Sequence, residues 1–159
     1  MRFILVDRID QLVPGESIVG IKNLTLSDDV FEDHFPGHPV FPGTLMVEAL
    51  AQLSGCLVEC TFHARSDATR RAVLVQIERA KFHAPCGPGD QLQLRSKLVS
   101  EIEGTAAQVE AQAFSNDQCV TRATLNFRLV EVESETVHRQ RRELYRTWMR
   151  NINPSFPVR

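Results

Sequence analysis

Residues 42–61 constrain the fold more than any other part of the chain. They read Pro-Gly-Thr-Leu-Met-Val-Glu-Ala-Leu-Ala-Gln-Leu-Ser-Gly-Cys-Leu-Val-Glu-Cys-Thr, a helix-length run that is apolar on nearly every face. A helix of this kind cannot lie on a surface with one side in water. It must be enclosed by a sheet or by another subunit. The small residues Ala49, Ala51, Ser54 and Gly55 permit a close approach of whatever encloses it. Pro42 suits a first helical turn, where its missing N–H costs nothing. The stretch from Leu45 to Val58 is interrupted by Glu48, Gln52 and Ser54, so no run of membrane-span length is expected and no membrane partner.

Four alternating stretches follow the helix. Val73, Val75 and Ile77 mark one face of the first. Leu92, Leu94 and Leu98 mark the second, against Gln91, Gln93, Arg95 and Lys97. Ala107, Val109, Ala111 and Ala113 mark the third, and Ala123, Leu125, Phe127 and Leu129 the fourth. Turns are expected at 85–90, 103–104 and 115–118. Strands joined in series by short turns pair antiparallel, with one face wet. One apolar sheet face and one enclosed helix make an α+β layer arrangement. At 159 residues the expectation is a single globular body with a sizeable core.

The chemistry concentrates between His34 and Gln52. Pro36, Pro39 and Pro42 exclude regular helix or central strand from the loop that opens on His34. Gly43 opens the helix, where free N–H groups and the positive end of the dipole suit an oxygen gaining negative charge. Glu48 interrupts the apolar run, and burial of a carboxyl group favours its neutral form. An imidazole and a protonated carboxyl group form a general base and acid. Gln52 is one turn beyond Glu48 on the same helix face, placed to orient the acid or hold a water. Asp33, next to the histidine, either raises its basicity or faces solvent.

The block His34-Phe35-Pro36-x-x-Pro39-x-x-Pro42-Gly43, followed by Glu48-Ala49-x-Ala51-Gln52, resembles the active-site signature of the 3-hydroxyacyl-acyl-carrier-protein dehydratases of fatty acid synthesis. The likeness extends to Phe3–Arg8 and Ile21–Thr25, which resemble that family's opening strand region, and to Ala80-Lys81-Phe82, Pro85 and Pro88-Gly89-Asp90; it covers about residues 3–131. It implies a hotdog fold, a long central helix wrapped by a curved antiparallel sheet. It implies a homodimer, alone or as a trimer of dimers, whose sites take His34 from one subunit and Glu48 from the other. It implies dehydration of 3-hydroxyacyl thioesters on an acyl carrier protein or CoA, with catalytic His34 and Glu48, substrate-binding Gly43 and Gln52, and neither cofactor nor metal. Glu48 looks like the simple dehydratase branch, since the dehydratase–isomerase branch typically carries Asp there. Asp33 departs from the Gly usual in that family. Two other classes stay open, an acyl thioesterase on the same fold and a non-catalytic acyl-thioester-binding protein.

The C-terminal part differs in character. A body at 1–133 and an extension at 134–159 are expected. From His138 onward there are six arginines and one glutamate in a chain whose net charge is −2. Val137, Leu144, Tyr145, Trp148 and Met149 fall on one helical face. This reads as a docked helix with a solvated basic face, or as a contact for an acidic partner such as a carrier protein. Nucleic acid is not expected of so short a patch on an acidic chain. No signal-peptide pattern is seen, so a cytoplasmic protein with reduced cysteines is expected. Cys56, Cys60 and His63 share a helix face, but small apolar packing explains the cysteines better than a metal site.

Overall fold

The computed structural model describes residues 3–154, 158 and 159. Its elements are β1 (Arg8–Val13), β2 (Ser17–Asn23), α1 (Val30–Asp33), α2 (Gly43–His63), β3 (Arg71–Phe82), β4 (Gln91–Ile102), β5 (Ala106–Ser115), β6 (Gln118–Val130) and α3 (Glu135–Trp148). The strands form one six-stranded sheet in the order β1-β2-β4-β5-β6-β3, antiparallel throughout. The β5–β6 turn has positive φ at both Asn116 and Asp117, the backbone that matches the twist of a two-residue hairpin.

The expected central helix is α2, and the sheet curves around it. Leu50, Leu53, Cys56 and Leu57 have no exposed surface. Leu92 and Leu94 of β4, Val109 and Ala113 of β5, and Leu125 and Phe127 of β6 meet it from the sheet, as their alternation required. Gly20 of β2 shows how close the approach is. A Cβ there would lie 2.8 Å from Leu53 Cδ1 and 2.9 Å from Arg8 O. At 21 residues α2 is, by length and composition, long and apolar enough to cross a membrane, contrary to the expectation from its interrupted run. Its surface is nonetheless taken up by the fold, 72% of that window being buried.

β3 departs from the expected alternation. Two register shifts, between Leu74 and Gln76 and between Ile77 and Arg79, insert extra residues against β6. Each bulge inverts the side-chain parity. Val73, opposite Arg128, therefore faces outward, whereas Ile77, opposite the buried Leu125, faces inward. The three residues do not form one face. The inward-facing Ile77 and Phe82 remain about half exposed, because β3 is the last strand of the sheet and, among the described residues, its outer edge is unpaired. The first strand also begins later than expected, at Arg8, and residues 3–7 run in as extended chain.

The C-terminal helix is present and docked. Ser134 caps α3 by accepting from Val137 N, and Tyr145, Trp148 and Met149 are buried. Val137 and Leu144, at the edge of the expected stripe, stay partly exposed.

Candidate active site

His34 terminates α1 and starts the proline loop. The loop closes on itself. Val40 N–H donates to His34 O at 2.8 Å, and Phe35 and His38 exchange two main-chain bonds around Pro36-Gly37. Gly37 has φ of 74°, the left-handed backbone a proline–glycine turn requires at its second central position. The ring of His34 is held from both sides, by Phe35 stacked at 4.1 Å and by Val40 O 2.7 Å from Nδ1. A carbonyl oxygen can only accept. Nδ1 therefore carries the hydrogen in the neutral ring, and Nε2 has its lone pair free to take a proton. Asp33 is exposed.

The loop delivers the chain to the start of α2. Phe41 N–H donates to Cys86 O at 2.7 Å, which ties the loop to the β3–β4 connection. Pro42 is the N-cap, one position before the expected first turn, and offers no side-chain cap. Its carbonyl accepts from Leu45 and Met46. Among the described residues, nothing accepts from the N–H groups of Gly43 and Thr44, which remain directed from the positive end of a long helix. Gly43 is pressed by the ring of Phe82, since a Cβ there would lie 2.8 Å from it. Any larger residue at 43 would displace that ring.

Glu48 sits one turn further along α2. Gln52 Nε2 donates to Glu48 Oε1 at 3.0 Å, while Gln52 Oε1 accepts from Leu5 N at 2.9 Å. The second bond fixes which end of the amide is which, so the NH₂ group must face the carboxylate. That contact is the one by which Gln52 would orient Glu48. Among the described residues no hydrogen bond joins His34 to Glu48 within one chain.

Glu48 is half-buried, not enclosed. The fully buried carboxyl group of α2 is Glu59, with 1% of its surface exposed. It accepts from Arg71 Nη1 at 2.8 Å and from Ala72 N at 2.9 Å. The desolvation expected at Glu48 thus belongs, in a single chain, to Glu59. The sequence carried the signal, a carboxylate between Val58 and Cys60, which in an apolar helix calls for a buried arginine. Cys56 and Cys60 lie 3.9 Å apart, and burial raises the Cys56 thiol well above its usual range. His63 turns away from them to Arg70 O, 3.1 Å from Nε2.

Comparison with known proteins identifies the family of the chain and its fold. The family of FabA-like domains matches residues 1–124. The 3-hydroxyacyl-[acyl-carrier-protein] dehydratase FabZ of Sulfurimonas denitrificans is 36% identical over 132 residues, 81% of this chain and 88% of that protein. The FabZ of Geotalea uraniireducens is 39% identical with the same coverage. Among solved structures, the dehydratase heterocomplex ApeI:P of Xenorhabdus doucetiae superposes with a TM-score of 0.68 at 14% identity, over 87% of this chain and 90% of that one. A hypothetical thioesterase with coenzyme A from Streptococcus pneumoniae gives 0.61 at 15% identity, over 80% and 88%. These last two share the hotdog fold.

Proposed function

The chain belongs to the FabA-like family, and we propose that it dehydrates 3-hydroxyacyl thioesters carried by an acyl carrier protein, giving trans-2-enoyl thioesters and water in fatty acid synthesis. The observation that carries the reading is the clamp on His34, which leaves Nε2 free as a base in the loop that leads into an uncapped helix start. The thioester acidifies the proton on its α-carbon, because loss of that proton places negative charge on the carbonyl oxygen. His34 Nε2 takes the proton. The N–H of Gly43 meets the developing oxyanion, a contact that strengthens as charge grows. Glu48, oriented by Gln52, gives a proton to the departing hydroxyl, which leaves as water. Return of the proton from His34 to Glu48 resets the site, so protons balance and no electrons are transferred.

The active form is a homodimer in this reading, with His34 of one subunit facing Glu48 of the other. Support comes from β3, an edge strand of 12 residues with no strand on its outer side among the described residues. Long uncovered edges pair with other chains. The half-exposed inner face at Ile77 and Phe82 is apolar surface that a second copy would cover, and the same copy would enclose Glu48. A cytoplasmic setting suits the four free cysteines.

The test is to incubate the purified protein with a 3-hydroxyacyl carrier protein, following both the conjugated enoyl thioester and free thiol. Enoyl product without thiol release is expected. Thiol release without enoyl product would assign the site to thioester hydrolysis instead.

A further inference from the structure

An acyl carrier protein is acidic and must dock near the site, and the natural place to seek its contact is the arginine-rich tail. The structure spends most of those arginines internally. Arg141 lies over the Tyr145 ring, Arg142 pairs with Glu135, Arg150 donates to the carbonyls of Asp7 and Thr147, and Arg159 holds Ser66 O and Asp67. Among the described residues, Arg139 and Arg146 are the two of the six without such a contact.

On the outer face of β3 and β6 less is used internally, Arg122 Nε donating to Cys119 Sγ at 3.4 Å. Arg79, Lys81, His83 and Arg122 line an open cleft of about 350 Å³, with Gln112 and Thr124 beside them and Glu110 as its one carboxylate. All four basic side chains are exposed. Lys81 and Arg122 are direct register partners across β3 and β6. Like charges placed opposite each other destabilise a sheet. Among the described residues, neither they nor Arg79 pairs with any carboxylate. The position is also pertinent. Phe82 lies between Lys81 and His83, points to the opposite face, and rests on Gly43 at the start of α2. The basic cleft therefore backs directly onto the strand end that closes over the proposed oxyanion site.

We propose that this cleft, built on Arg79, Lys81 and Arg122, is the docking surface for the acidic protein that carries the thioester. The proposal rests on the dehydratase reading and adds where the carrier sits. A sheet that keeps two cations face to face, neither ion-paired with a carboxylate among the described residues, is poorer in stability for it. An acidic partner surface would supply the missing charge.

Lys81→Glu tests this cleanly, because it places a carboxylate opposite Arg122. If the cleft serves docking, the variant should melt no lower than the wild type and yet use carrier-bound substrate worse. KM for a 3-hydroxyacyl carrier protein should rise at least about tenfold at low salt, and the difference should shrink as salt is added. Turnover of the small N-acetylcysteamine thioester should stay unchanged. Equal loss on both substrates, or no loss on either, would overturn the proposal. So would a carrier-specific loss in Arg139→Glu/Arg146→Glu with none in Lys81→Glu, which would move the contact to the tail. A wild-type protein that dehydrates neither thioester would instead overturn the dehydratase reading, and the docking surface with it.

Discussion

Arg71 Nη1 lies 2.8 Å from Glu59 Oε2, and the two side chains are 3% and 1% exposed. The pair joins the enclosed helix α2 to the first residue of the edge strand β3. It also gathers the C-terminal part of the chain, since Arg71 Nε donates to His138 Nδ1 and Nη1 to Arg159 O. Removing one partner strands the other charge in the core. Glu59→Leu should therefore cost about 3–5 kcal/mol of stability in denaturant unfolding. The double variant Glu59→Leu/Arg71→Met should recover much of that loss. Equal losses in the single and double variants would show that the ion pair is not the source.

His63 gives the fold a dependence on pH. Burial pushes its pKa down to about 4, helped by the nearby Arg71 and opposed by the Arg70 carbonyl. The sign follows from the neutral ring being favoured in the folded state. Above about 6.5, the ordinary histidine value, both states are neutral and the full stability is present. Between there and about 4 the unfolded chain binds a proton that the folded chain refuses, so stability falls, and the loss levels off below about 4. In His63→Gln, which keeps a donor for Arg70 O, unfolding free energy should lose this slope between pH 6.5 and 4. A slope unchanged from the wild type would place its origin in other groups.

Much of this architecture was readable from residue order. The all-round apolarity of residues 43–61 demanded enclosure, and the alternation of Leu92/Leu94, Val109/Ala111 and Leu125/Phe127 supplied the enclosing face. The first half of β3 was not readable, because alternation assumes an unbroken pairing and each bulge shifts the parity without a sequence mark. Glu48 and Glu59 illustrate another limit. Both are carboxylates among aliphatics, and only the position of Arg71, 12 residues past Glu59, decides which is paired and buried. The tail arginines failed differently. Their number suggested a basic face, but side-chain reach allowed most of them to be used against carbonyls, a ring and carboxylates of the same chain.

Gln52 separates positioning from folding. Its carbonyl oxygen accepts from Leu5 N, and its NH₂ orients Glu48. Gln52→Glu keeps an acceptor for Leu5 but loses the donor and sets two carboxylates together. Turnover of an enoyl or 3-hydroxyacyl thioester should fall by about 10-fold or more, with thermal stability changed little and the pH–rate profile displaced, since the acid's environment has changed. Loss of activity matched by loss of the folded state would mean that Gln52 serves only to hold residues 3–5.

His34 and Glu48 are the proposed base and acid. His34→Ala and Glu48→Gln should each lower turnover by at least about 10²-fold, the usual effect of removing a general base or acid. His34 and Glu48 share no hydrogen bond within one chain, and a shared site explains why each is separately positioned. In a dimer with shared sites, a mixed pair of the two variants contains one site with both residues replaced and one with both intact. Subunit exchange between the two inactive proteins should then restore about a quarter of wild-type activity, since half of the dimers are mixed and half of their sites are whole. Sites contained within a single chain would give no recovery, because every chain would carry a defect. Exchange itself is checked by following a tag on one variant into dimers with the other, so an absence of activity in proven mixed dimers would reject the shared site.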